Sequence, residues 1–179
     1  MYQGVFLIAN KQMLRSVLIF PKITQSKTIQ QIRNQYDPLA SHIRPHISLV
    51  FPFDSNRSNQ DILKAVEASA KTFFPFIATF DKLGHDDNGY VWLAASTGRQ
   101  KLIEVHDALY EDNCFSSFLR QDIPYNPHIT LGKAKKEDTQ MVMEEIEKQN
   151  IFFSVLIETL SIENILPNGD SNEFAQIKS

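Results

Sequence analysis

Apolar and polar positions alternate along this chain in two rhythms, short stretches of period two and longer ones of period 3.6. Residues 3–9 and 15–20 predict strands, and Pro21 closes the second. Residues 24–36 predict an amphipathic helix with Thr24 as N-cap and Ile29, Ile32 and Tyr36 on one stripe. Asp37-Pro38 ends it, because proline disfavours helix in the residue before it. A strand follows over 45–53, turn residues at Asp54-Ser55-Asn56, and a helix over 59–73 with Ile62, Leu63, Val66 and Ala70 inward. Residues 75–82 and 89–96 predict a hairpin turning through Gly84 to Gly89, with His85 in the turn. A helix over 98–113 carries Leu102, Val105, His106, Leu109 and Tyr110 on its stripe. The remainder reads as a strand over 127–133, a helix near 137–149, and strands at 152–163 and 172–178 joined by Pro167-Asn168-Gly169-Asp170.

Strand, helix, strand, helix thus occurs in both halves, and short connections favour antiparallel pairing. The expected fold is α+β and bilobal, with two pseudo-symmetric antiparallel sheets facing a central cleft and helices on the outer faces. No Gly-, Ser- or Pro-rich linker divides the halves, so residues 1–179 are expected to form a single bilobal domain.

Composition narrows the function classes. The chain of 179 residues is 42% hydrophobic with 13 Phe, enough for a packed core without staples. A net charge of -3 argues against a broad nonspecific nucleic-acid coat, although a local basic site remains open. Cys114 is the only cysteine, which excludes an intrachain disulfide and a cysteine-based zinc site. The apolar run Val5 to Ala9 lacks a cationic leader, and no run reaches transmembrane length, so a cytoplasmic protein is expected.

Two strands repeat one motif, Pro45-His46-Ile47-Ser48-Leu49 and Pro127-His128-Ile129-Thr130-Leu131. Side chains two apart on a strand share a face, roughly 7 Å apart. Each strand therefore presents one imidazole and one hydroxyl, His46 with Ser48 and His128 with Thr130. Ile47, Leu49 and Phe51 are expected behind the first pair, and Ile129 and Leu131 behind the second, with Gly132 on the His128 face. A single His-x-Ser/Thr is a weak signal, but a repeat with the same proline and aliphatic frame points to a functional pair.

Two imidazoles and two hydroxyls across one cleft suit in-line displacement at a phosphodiester. Imidazole titrates near neutrality, so one His takes a proton from the attacking oxygen while the other protonates the leaving oxygen. The hydroxyls donate to the nonbridging oxygens as charge grows there. Arg44 and Asn126 stand two residues before the histidines, where parity aims them at the cleft; Arg44 there is a bidentate phosphate ligand or a solvated strand-entry charge. Tyr125 and Phe51 are read as base-stacking residues or as core cover. Lys133, with Lys135 and Lys136, draws in an RNA end or solvates a helix start. His106 on an apolar stripe reads as structural, His85 as solvated and His42 as loop. No compact ligand spacing accompanies the histidines, so neither metal nor cofactor is expected.

The twin motifs resemble those of the two-histidine (2H) phosphoesterase superfamily, in particular its 2′-5′ RNA ligase-like bacterial branch. Tyr36-Asp37-Pro38 and Leu131-Gly132-Lys133 are also similar to that branch. The resemblance implies metal-independent hydrolysis of 2′,3′-cyclic phosphates or related RNA-end and nucleotide phosphodiesters, with His46, Ser48, His128 and Thr130 as the catalytic set. It further implies His128 as base and His46 as acid, roles that strand spacing leaves equivalent. Ser48 stands where Thr is common in the family, which keeps the hydroxyl. The strand over 3–9 has no clear counterpart there, which leaves the sheet edge, or a dimer contact, open. A noncatalytic RNA- or nucleotide-binding module and a 2′-5′ RNA ligase remain the alternatives.

Overall fold

The computed structural model describes residues 12–178. The strand expected over 3–9 lies outside the described residues. Strand β1 (Met13–Ile19) leads through helix α1 (Ser26–Tyr36) to the first motif strand, β2 (Ile47–Ser55), and helix α2 (Asn59–Ala70). The hairpin β3 (Phe76–His85) and β4 (Tyr90–Ala95) is followed by helix α3 (Arg99–Glu111) and the second motif strand, β5 (His128–Lys133). Helix α4 (Thr139–Glu147) and strands β6 (Phe153–Ile157), β7 (Thr159–Ile165) and β8 (Ser171–Lys178) complete the chain.

The strands form two four-stranded antiparallel sheets, β2-β1-β7-β8 and β5-β4-β3-β6. The bilobal α+β expectation holds, and β1-α1-β2-α2 repeats as β4-α3-β5-α4. Among the described residues both motif strands lie at a sheet edge, and the two edges meet. The helices cross over to make this junction. Helix α1 packs on β5, α3 packs on β2 and on α2, and α4 covers β3 and β4. The helix from each repeat thereby supports the motif strand of the other, over one continuous core from Val17 and Ile47 to Leu131 and Ile162.

The α3 stripe is buried as the 3.6-residue period requires, with Leu102, Val105, His106, Leu109 and Tyr110 all inside. On α2, Ser58 caps the helix by accepting from the Asp61 N–H. Thr24 does not cap α1. The first helical bond runs from the Ile29 N–H to the Gln25 carbonyl, so Gln25 takes the cap position without a side-chain bond. Its side-chain oxygen instead accepts from the Phe152 N–H.

Two further expectations are corrected. The strand expected over 152–163 is two strands in different sheets, β6 and β7, divided at Glu158. The buried apolar residues move there from odd positions (Phe153, Val155, Ile157) to even ones (Leu160, Ile162). The hairpin turn is tighter than expected, because β3 continues to His85 and the Asp86 carboxylate accepts from the Asn88 and Tyr90 N–H groups. No helix among the described residues is long and apolar enough to cross a membrane.

Candidate active site

The two motif histidines are held in the same way. His46 Nδ1 lies 3.0 Å from the Arg44 carbonyl oxygen, and His128 Nδ1 lies 2.6 Å from the Asn126 carbonyl oxygen. A carbonyl only accepts, so Nδ1 carries the proton in both rings. Each neutral imidazole therefore keeps Nε2 as an unprotonated acceptor. The residues two before each His contribute through the main chain, where strand parity had offered their side chains.

An aromatic ring from the neighbouring strand stands beside each imidazole. Phe20, just past β1, meets His46 edge-on with centroids 6.1 Å apart, and Trp92 on β4 tilts against His128 at 5.1 Å. Trp92 has room because a Cβ on Gly84 would come within 2.7 Å of its Nε1. Burial pushes both histidine pKa values below the ordinary imidazole range, against the carbonyl hydrogen bonds that raise them. At His46 the Arg33 and His128 charges lower it further, while Asp37 opposes them.

Ser48 pairs with Leu18 and Thr130 with Trp92, and both hydroxyl residues are half-buried. Among the described residues neither hydroxyl has a hydrogen-bond partner of its own. Immediately after each hydroxyl the strand bulges. On β2 the register moves from Leu18↔Ser48 to Val17↔Val50, and on β5 from Trp92↔Thr130 to Val91↔Gly132. One extra residue, Leu49 or Leu131, reverses the inside–outside parity just past it, and on β2 a second shift between Val50 and Phe53 restores it.

These bulges correct two expectations. Phe51 leaves the apolar face of Ile47 and Leu49, and is half-buried. Gly132 leaves the His128 face and is buried against Tyr36 of α1. Lys133 takes its place on that face, opposite Tyr90, with Nζ 4.5 Å over the tyrosine ring.

The remaining candidates are distributed as follows. Arg44 lies over the Phe20 ring at 3.9 Å and pairs with Glu173 at 2.7 Å, at the rim beside His46. Tyr125 is engaged within the protein, stacked on His106 at 3.8 Å and edge-on to Phe51. Its hydroxyl donates to the Ser48 carbonyl oxygen. His106, 4% exposed, is structural as its stripe implied. His42 binds Asp170 at 2.8 Å, and His85 is exposed. Lys135 and Lys136 are exposed beyond β5, on the way to α4. Among the described residues no group of three or more His, Cys, Asp or Glu side chains is placed to hold a metal ion.

Sequence reasoning passed over Phe20, Trp92 and Glu163, which border the motif faces through strand pairing. Phe20 and Trp92 carried a faint signal as aromatics at or next to a strand. The buried Glu163 carried none, because its place depends on β7 joining the first sheet.

The family model for the 2′-5′ RNA ligase superfamily matches residues 21–165. Among solved structures, E. coli LigT complexed with 3′-AMP matches with a TM-score of 0.63 at 17% identity, over 93% of this chain and 97% of that one. E. coli LigT complexed with NADP+ gives 0.59 at 17% identity, over 93% and 97%. A protein described as a phosphoesterase gives 0.60 at 16% identity, over 93% and 97%. At such identities the likeness is one of fold. No curated protein matches the chain by sequence.

Proposed function

The chain belongs to the 2′-5′ RNA ligase superfamily of two-histidine phosphoesterases, and from that premise we propose that it is a phosphodiesterase acting on 2′,3′-cyclic phosphates or related RNA ends. The observation that carries this reading is the matched pair of Nδ1–carbonyl bonds, which commits one nitrogen of each imidazole and leaves both Nε2 atoms for proton transfer. Nucleotides bound in the E. coli LigT structures support a nucleotide or RNA end as the ligand. In this reading the two lobes work as one bilobal unit, in the cytoplasm.

Water attacks phosphorus in line with the departing ribose oxygen. As the new P–O bond forms, the water proton passes to Nε2 of His128. As the old bond breaks, Nε2–H of His46 delivers its proton to the ribose oxygen. The product is a phosphomonoester beside a free hydroxyl, and solvent exchange resets the two imidazoles. Ser48 and Thr130 donate to the nonbridging oxygens, where negative charge grows toward the transition state. Lys133, on the His128 face, and Arg44, at the His46 rim, supply positive charge to the flanking chain. The assignment of base and acid follows the family resemblance.

The test is incubation with 2′,3′-cyclic nucleotides and with 2′-5′-linked oligonucleotides, with and without a chelator. Turnover of the cyclic substrates that persists in chelator is expected. Binding without turnover assigns a nucleotide-binding module instead, and joining of RNA ends assigns a ligase.

A further inference from the structure

Beside His46 and Ser48, a cavity of about 170 Å³ lies over the face of the β2-β1-β7-β8 sheet that carries them. Its floor is the sheet face itself, where Leu18 and Ile165 stand beside Ser16, Glu163 and Ser171, and Leu39 and Ile43 also line it. Register explains the grouping, since Ser16 pairs with Glu163 across β1 and β7, and Ser171 pairs with Ile165 across β7 and β8.

Glu163 is a carboxylate 2% exposed, and among the described residues no cation pairs with it. Ser16 Oγ donates to one of its oxygens at 2.6 Å, and Ser171 Oγ donates to the other. A carboxylate offers only acceptors, and each serine has committed its single proton to it. The lone pairs left on all three groups are acceptors. A ligand facing this floor must bring donors, and one bringing carbonyl oxygens meets uncompensated repulsion.

We propose that this cavity is the base pocket of the phosphodiester site and that Glu163 selects guanine over uracil; the inference rests on the phosphodiesterase reading above. Guanine presents two adjacent donors, N1–H and the N2 amino group, to an acceptor-only floor. Uracil presents one N–H flanked by two carbonyl oxygens. The aliphatic side chains of Leu18, Leu39, Ile43 and Ile165 suit the faces of a flat ring, and His46 and Ser48 in the same lining leave the ribose and phosphate at the motif residues.

The measurement is kcat/KM for guanosine and uridine 2′,3′-cyclic phosphates, with binding of 2′-GMP and 2′-UMP measured in parallel. Wild type is expected to favour guanosine on the order of ten- to a hundredfold, the discrimination of one bidentate base contact. In Glu163→Gln an amide donor replaces one acceptor, and the ratio falls toward one. Should that variant fail to fold in a thermal melt, Ser171→Ala moves the same ratio in the same direction. Turnover of both substrates with equal efficiency, or a ratio untouched by either variant, overturns the pocket and leaves the phosphodiesterase reading standing. Selective binding of 2′-GMP that depends on Glu163, with no turnover of either cyclic substrate, keeps the pocket and overturns the phosphodiesterase reading. Neither turnover nor binding overturns both.

Discussion

The Tyr125 hydroxyl donates a 2.8 Å hydrogen bond to the main-chain carbonyl of Ser48, so the loop entering the second motif is fastened to the strand that carries the first. Burial pushes the Tyr125 hydroxyl pKa far above its ordinary value, so the donor stays in place across the working pH range. Stacking on His106 of α3 fixes the ring from one side. Tyr125→Phe keeps the stack and removes only the donor. Losing this bond to a part-buried carbonyl is expected to cost about 0.5–1.5 kcal/mol in a denaturant melt. Because the bond sets one motif relative to the other, kcat should fall more than KM rises. Unchanged kcat beside a lowered melting point would confine the bond to stability.

Gly132 is fixed by the opposite helix. A Cβ there would sit 2.5 Å from the Tyr36 Cβ and 3.3 Å from the Tyr36 carbonyl carbon and oxygen. These atoms lie on or next to the backbone of α1 and cannot swing away. Alanine in a strand ordinarily stabilises relative to glycine. Here overpacking decides the sign, and Gly132→Ala should destabilise by about 1–3 kcal/mol. A melt at or above the wild-type temperature would show that α1 shifts freely.

Much of this was legible in the chain because the informative residues act locally. The stripe of α3, the proline stop after α1 and the His-x-Ser/Thr spacing follow from helix and strand periodicity alone. What escaped depends on pairing between distant segments. The bulges after Ser48 and Thr130 arise from register with β1 and β4, and nothing in Leu49 or Leu131 announces them. Parity therefore held up to each hydroxyl and failed just past it, misplacing Phe51 and Gly132. The break at Glu158 escaped as well, because β6 and β7 separate only by joining different sheets. Glu163 became meaningful only once β7 was known to lie beside β1.

The hydroxyls separate space-filling from catalysis. Ser48→Ala and Thr130→Val each remove a donor that has no protein partner among the described residues, so little stability should be lost. Where the donor serves the transition state, its loss costs about 2.7–4 kcal/mol of barrier. The expected result is a fall in kcat of on the order of 10²- to 10³-fold with a near-native melting temperature. Wild-type rates in both variants would remove the hydroxyls from the mechanism.

Acid should weaken the fold through three histidines. Burial lowers the pKa of His46, His106 and His128 below the ordinary value of 6.5. Between the folded and unfolded pKa values the unfolded chain binds more protons, so stability rises with pH there. The contribution is fully present above pH 6.5 and is lost as pH falls through the lowered folded values. Melting temperature should hold from pH 8 to about 6.5 and then decline, before the carboxylates titrate. His106→Phe should shrink that decline, and an unaltered slope would assign it to other groups.

The last prediction distinguishes the two imidazoles. Both begin depressed, so near neutrality the free protein holds them mostly neutral, and the general acid must gain a proton. A bound phosphodiester supplies the negative charge that favours this, raising the acid's pKa in the complex. The bell in kcat/KM, which reports the free protein, should therefore have its acid limb below pH 6.5, and the limbs in kcat should move upward. The limbs belong to the coupled pair rather than to either ring. His46→Ala and His128→Ala should each lower hydrolysis of a normal substrate by roughly 10²- to 10⁴-fold. A substrate with an activated leaving group needs no acid, so it should restore rate to His46→Ala far more than to His128→Ala. Rescue of His128→Ala instead would reverse the roles, and full activity in either variant would end the two-histidine mechanism.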